Sequence, residues 1–215
     1  WWALPSLRPD PHDPQAALLR DVRARPVHER TDLLKAADPS TAEVLLELAR
    51  NGLDRRDPGL VDAVTNQLLK DDPWEWRAVW IQGLRALASQ DYASAQSAFN
   101  AVYGQVPGEL APKLALAVAC ERSGEMSVAE SLYAVCARTD ANYTPVGAFG
   151  LARIRLARGE VSGAVEALDL IPATSRAYAV ARQRRGQVLA ASGSALPTLA
   201  EALRSVSQVS MEPLD

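Results

Sequence analysis

Small and large apolar residues recur through the middle of this chain with a period close to 34 residues. Once Ala95, Ala129 and Ala164 are aligned, their spacings are 34 and 35 residues. A small residue then stands twelve positions before each alanine, and a large apolar residue stands four positions after it. The nine residues of these three columns are Gly83, Ala95, Phe99, Ala117, Ala129, Tyr133, Ala152, Ala164 and Leu168. Such self-similarity at a fixed period predicts a repeat architecture.

Each repeat is predicted to be a helix, a turn and a second helix. The turn falls between the two small columns, and Gly124 and Gly159 stand at its corner in two copies, where a helix commonly ends. Two antiparallel helices can approach closely only where small side chains face each other, and bulky neighbours then fill the flanking space. We therefore predict strong repeats at 76–109, 110–144 and about 145–178.

The flanks of these repeats carry more degenerate helix pairs. Ser40 with Glu43 has the pattern of a capping box, and Asn51 with Gly52 is typical of a helix end. Asp57 and Pro58 are predicted to start the partner helix of this pair. Four further helices are predicted over 14–26, 27–37, 176–191 and 197–209. The sequence thus predicts an all-α domain over 14–215, with twelve helices and no strand. Four prolines among the first fourteen residues predict an extended linker over 1–13.

Charge and hydropathy argue against nucleic acid and membrane as partners. The formal net charge is -3, and both signs are spread along the chain, so no basic stripe suits nucleic acid. No run approaches the 18 or so apolar residues of a membrane span, and the first residues do not resemble a secretion signal. We expect a cytoplasmic protein with protein partners, and neither nucleic acid nor membrane.

Residue patterns for catalysis, metal binding or cofactor binding are absent from the sequence. His12 lies in the linker and His28 on an early helix, so no nucleophile has a plausible histidine partner. The spacing of Cys120 and Cys136 suits core packing better than a metal site. We expect no catalytic residue, no cofactor and no metal in this segment.

The three in-register copies resemble the tetratricopeptide repeat family. That resemblance implies a right-handed solenoid of antiparallel helix pairs whose concave face is lined by the first helix of each repeat. The lysine and asparagine clamp of the family's chaperone-tail binders is not matched here. On this register the predicted protein-binding groove is formed by Arg77, Trp80, Leu84, Leu114, Val118, Glu121, Phe149 and Arg153. The alternative is that Trp80 and Phe149 pack into adjacent helices and leave the groove featureless.

A closer resemblance rests on longer strings of sequence. The stretches 74–80, 91–95, 107–117, 148–153, 163–169 and 172–176 are similar to the C-terminal repeat domain of the actinobacterial serine/threonine protein kinase G family. The resemblance implies a non-catalytic scaffolding and regulatory region of a kinase whose kinase domain precedes it, outside this chain. The implied partners are that kinase domain in cis, its substrates and a second copy of the chain. A free-standing repeat adaptor that binds a peptide or helix in its groove is the alternative.

The last predicted helix gives one further expectation. If the solenoid is cut there, Leu199, Leu203 and Val206 should be exposed, and such an apolar face favours self-association.

Overall fold

In the computed structural model, residues 4–193 and 195–207 are described, and all the regular elements among them are helices. Twelve helices occur in this part of the chain, which confirms the predicted all-α class. They are α1 (Ala16–Ala24), α2 (Val27–Lys35), α3 (Ala42–Asp54), α4 (Pro58–Asp71), α5 (Trp76–Ala88), α6 (Tyr92–Gln105), α7 (Leu110–Ser123), α8 (Met126–Thr139), α9 (Thr144–Ala157), α10 (Val161–Asp169), α11 (Tyr178–Ser192) and α12 (Leu196–Ser207).

The helices form two compact units, one that extends to Ser123 and one that begins at Gly124. In the first unit, α3 packs on α4, α5 on α6 and α6 on α7. In the second unit, α8 packs on α9, α9 on α10 and α11 on α12. Each unit is therefore a stack in which helices pack mainly on their neighbours in sequence, as expected of a repeat protein.

Helix α3 differs from its prediction at both ends. Thr41, not Ser40, is the N-cap, and its Oγ1 accepts a hydrogen bond from the amide of Val44 at 3.3 Å. The helix also continues through Gly52 to Asp54. A Cβ atom on Gly52 would lie 2.9 Å from Cγ2 of Val61 on α4, so this glycine permits a close helix contact and does not end the helix.

Glycines allow similarly close contacts between the paired helices. A Cβ atom on Gly83 of α5 would lie 2.5 Å from Cε1 of Phe99 on α6. On α9, a Cβ atom would lie 2.7 Å from the Tyr133 ring at Gly150 and 2.6 Å from a backbone nitrogen of α8 at Gly147. The nine residues of the repeat columns are all buried. Small and large residues thus occupy the helix crossings that their period of 34 to 35 residues predicts.

The last helix pair begins slightly away from its predicted positions, at Tyr178 and Leu196. The predicted end of α12 near 209 lies outside the described residues. Leu199, Leu203 and Val206 are exposed, as predicted.

Candidate protein-binding groove

The segment that precedes α1, residues 4–13, runs along a groove formed by α3 and α5, and we call it the lead-in. Leu4 at its start is buried, and Arg23 of α1 donates a hydrogen bond to the carbonyl oxygen of Leu7 at 3.4 Å. Only about 20 Å³ remains open beneath the lead-in, room for about one water molecule. The residues around this space are Leu7, Arg8, Pro9, Arg23, Glu43, Leu46, Glu47, Arg50, Arg77, Trp80, Ile81 and Leu84. We call this surface of α3 and α5 the inner groove, and the lead-in fills it.

Two hydrogen bonds hold the end of the lead-in and the residues that follow it. The hydroxyl of Thr41 donates to Oδ1 of Asp13 at 3.1 Å, and Nε2 of Gln15 donates to the carbonyl oxygen of Pro39 at 3.2 Å. Because Thr41 is also the N-cap of α3, the lead-in and the start of that helix are positioned together.

An ion-pair network crosses the inner groove at Arg77. Nη2 and Nε of Arg77 lie 2.6 and 2.8 Å from the two carboxylate oxygens of Glu75, and Nη1 pairs with Glu43 of α3. Both glutamates are buried. The hydrogen bonds from Arg77 hold the pKa of the Glu75 carboxyl below its usual range, although burial opposes this shift. The same hydrogen bonds raise the pKa of the Arg77 guanidinium.

A third buried carboxylate joins α3 to α1. Nε and Nη2 of Arg23 lie 2.8 and 2.5 Å from Oε2 of Glu47, which is buried. Each buried acid of the groove therefore has an arginine partner, as a buried charge requires. Paired and hydrogen-bonded carboxylates are suited to fixing the geometry of a binding surface.

Trp80 packs between helices. Its side chain is only 2% exposed, and its ring centroid lies 5.2 Å from that of Phe99 at an interplanar angle of 55°. Leu84 and Leu114 are buried in the same way. Trp80 and Leu84 nevertheless line the space beneath the lead-in, whereas Leu114 does not. These side chains therefore form part of the core, as the alternative interpretation expects, and Trp80 and Leu84 also lie beneath the lead-in.

The predicted groove residues of α7 and α9 do not line the inner groove. On α7, Val118 and Glu121 are half-buried, and Val118 lines a different cleft of the first unit. On α9, in the second unit, Arg153 is exposed and its guanidinium lies 6.0 Å from the ring centroid of Tyr133.

Phe149 of α9 is half-buried and packs against three buried residues of the second unit, Ala148, Ile171 and Ala181. Of the eight residues predicted to share one groove, Arg77, Trp80 and Leu84 thus line the inner groove. The inner groove also contains residues of α3, a helix that the predicted set does not include.

Sequence reasoning missed the α3 side of the inner groove. Glu43, Leu46 and Arg50 each stand 34 residues before Arg77, Trp80 and Leu84. These two helix pairs were not aligned, because Val61 and Thr65 occupy the alanine and large apolar columns of the earlier repeat. Extending the register by one period would have placed Glu43 and Arg50 opposite the predicted groove residues.

The described residues carry little other chemistry. Cys120 and Cys136 are thiols in buried positions, as predicted for core packing. Within 4–193 and 195–207, no cluster of histidine, cysteine and acidic residues has the arrangement of a metal site. No helix in the same residues combines the length and apolar content that a bilayer crossing requires.

Solved structures share this fold at low sequence identity. A tetratricopeptide repeat protein from Parabacteroides merdae aligns with a TM-score of 0.60 and 16% identity, over 92% of this chain and 87% of that one. PilF of Pseudomonas aeruginosa aligns with a TM-score of 0.64 and 16% identity, over 90% of this chain and 84% of that one. At these identities the likeness shows the fold alone.

Curated relatives share more sequence. The serine/threonine-protein kinase PknG of Mycobacterium leprae is 36% identical over 80% of this chain and 24% of its own length. The PknG of Mycolicibacterium smegmatis is 35% identical over 77% of this chain and 23% of its own length. The chain thus spans about a quarter of the length of these relatives.

The family model described as the protein kinase G tetratricopeptide repeat matches residues 2–211. That match covers nearly the whole chain and agrees with the helix pairs described above. The chain therefore belongs to the protein kinase G tetratricopeptide repeat family, as a non-catalytic protein-interaction region that does not contain the kinase domain.

Proposed function

We propose that this chain is the scaffolding and regulatory region of a longer cytoplasmic serine/threonine protein kinase, and that its inner groove holds the segment that joins it to the kinase domain. The kinase activity is carried over from the two PknG relatives. The kinase domain in cis and its protein substrates are the partners of this proposal.

The observation that carries the proposal is the course of the lead-in along α3 and α5. An extended, proline-containing segment needs little ordering to bind, because proline already restricts its backbone. Leu7 and Pro9 lie over the groove, as a bound peptide would place its anchoring side chains, and Leu4 at the start of the segment is buried. A joining segment held in this way fixes where the repeat region begins relative to the chain before it.

The experiment uses the longer protein and a variant that lacks residues 14–215. Phosphoryl transfer is measured to a protein substrate and to a short peptide that contains only its phosphorylated site. If the region presents substrates, its removal should raise the KM for the protein substrate by about tenfold or more, which corresponds to about 1.4 kcal/mol of lost binding. The peptide should be phosphorylated with nearly unchanged constants.

Equal losses for both substrates would contradict a presenting role, because they would show that the kinase domain itself is damaged. A longer reading frame without a kinase domain would contradict the kinase assignment. The groove would then belong to an adaptor that binds a segment of another protein.

The exposed apolar face of α12 supports a second proposal, a homodimer. Leu196, Leu199, Leu203 and Val206 are exposed on this one helix of the second unit. Apolar surface concentrated in this way favours protein contact, and a second copy of the chain would cover it through the same surface.

A further inference from the structure

The first unit contains a second concave surface, where α3, α5 and α7 end. A cleft of about 640 Å³ is open there, a size typical of ligand pockets. Three arginines line it, Arg56, Arg85 and Arg122, and we call it the arginine cleft. The main apolar residues that line the cleft are Leu53, Val61, Leu87 and Val118. Apolar surface and guanidinium groups therefore meet in one open cleft.

The positive charge of this cleft is poorly neutralised. Arg56 and Arg122 are exposed, and neither side chain has an ion-pair or hydrogen-bond partner among the described residues. Arg85 pairs through Nη2 with Asp62 at 2.7 Å, but its buried Nε has no partner in the same residues. The one acid among the described lining residues, Asp57, caps the first turn of α4. By contrast, Arg77 in the inner groove is paired with two glutamates.

The backbone at the edge of the cleft is strained. Arg56 and Gln90 both line the cleft and have φ angles of 56° and 63°, in the left-handed region that favours glycine. The equivalent positions of the next two repeats are glycines with positive φ: Gly124 lies 34 residues after Gln90, and Gly159 lies 35 residues after Gly124. The two repeats that form the cleft thus keep side chains where glycine would relieve strain. Strain of this kind is concentrated at functional sites.

We propose that the arginine cleft binds an extended acidic segment of a partner protein, with carboxylates on Arg56 and Arg122 and an apolar side chain against Leu53 and Val118. Guanidinium groups recognise carboxylates by donating paired hydrogen bonds. A guanidinium without an ion-pair partner can bind a carboxylate without breaking an existing ion pair. The chain as a whole is acidic, with a formal net charge of -3, so its overall field does not attract such a segment. The local arginines must supply the recognition. This proposal goes beyond the proposed function, because it uses none of the residues of the inner groove.

The test measures fluorescence anisotropy of a fluorescein-labelled Asp-Glu-Leu-Asp-Glu peptide titrated with the whole chain. Binding should be saturable, and it should weaken by about tenfold or more in Arg56→Gly and in Arg122→Ala. Arg56→Gly is informative because glycine suits a φ of 56°. The variant should melt at or above the wild-type temperature, so lost binding cannot be attributed to unfolding.

Two matched controls accompany these variants. Arg20→Ala and Arg138→Ala each remove the same charge from an exposed position outside the cleft. Both should bind the peptide within about twofold of wild type. The proposal is overturned if wild type shows no saturable binding, if Arg56→Gly binds normally, or if Arg20→Ala weakens binding equally. Tighter binding of a Lys-Lys-Leu-Lys-Lys peptide or of an oligothymidylate would also overturn it.

Discussion

Glu43 of α3 and Arg77 of α5 stand one repeat period apart, at a separation of 34 residues, and form an ion pair between the two helices. Equivalent positions of successive repeats lie side by side in a stacked array. Opposite charges at the same repeat position therefore join neighbouring repeats. Glu75 completes the network, because it binds the same guanidinium and also caps α5.

This network gives the stability of the chain a defined pH dependence. Since the pKa of Glu75 is lowered by Arg77, its contribution is complete above the ordinary glutamate value of 4.5 and is lost as the pH falls through the lowered pKa. Glu75→Gln should cost about 1 to 3 kcal/mol of unfolding free energy at neutral pH. The difference from wild type should shrink as the pH falls below 4.5. Urea denaturation across a pH series measures it.

The control is Glu109→Gln, since Glu109 is exposed and no side-chain partner of it is found among the described residues. This variant should stay within about 0.5 kcal/mol of wild type. A Glu75→Gln deficit that keeps its size throughout acidic pH would show that the ion pair is not its source.

Trp80→Ala distinguishes a core residue from a purely peptide-binding one. Because Trp80 is 2% exposed and its ring contacts Phe99, its truncation to alanine should cost about 3 to 5 kcal/mol of unfolding free energy. Trp74→Ala, at a position that is 77% exposed, should change stability by less than about 0.5 kcal/mol. Chemical denaturation followed by circular dichroism measures both. A stable Trp80→Ala protein would contradict the packing described here.

Gly83→Ala tests the helix crossing of α5 and α6. The added Cβ would lie 2.5 Å from Cε1 of Phe99, so overpacking should cost about 1 to 3 kcal/mol. The matched variant is Gly104→Ala in α6, where the added carbon would meet no atom of the described residues within 4 Å beyond its own stretch of helix. It should stabilise the protein by about 0.5 to 1 kcal/mol through helix propensity. Thermal melting compares them, and equal behaviour of the two variants would contradict the repeat register.

The exposed face of α12 should drive self-association. Leu203 is 72% exposed, so Leu203→Glu should shift sedimentation velocity profiles towards the monomer at concentrations where wild type is dimeric. Val146→Glu, a single exposed apolar position on α9, should leave association unchanged. A wild-type chain that stays monomeric at high concentration would rule out the homodimer.

The repeat columns allowed most of the fold to be predicted because helix crossings impose a residue size at fixed intervals. Gly83 opposite Phe99 illustrates this constraint. Gly52 was misread as a helix end, since a glycine that permits a close contact looks the same in sequence as one that caps a helix. The course of the lead-in could not be predicted in detail, because an extended segment has no periodicity. Its position depends on surfaces such as that of Arg23, which contacts Leu7 from α1.

The inner groove holds the lead-in, and the indole Nε1–H resonance of Trp80, which lies beneath the lead-in, reports on this contact. Residues 4–11 are replaced by glycine and serine in equal number, and ¹H–¹⁵N spectra are compared with wild type. The Trp80 resonance should shift in this variant and should return towards its wild-type position, saturably, when a peptide of residues 4–13 is added. The same peptide with aspartate at both leucine positions should have no effect, and resonances of Tyr133 in the second unit should stay unchanged throughout. A Trp80 resonance that is identical in wild type and in the replaced variant would show that the lead-in does not lie over Trp80.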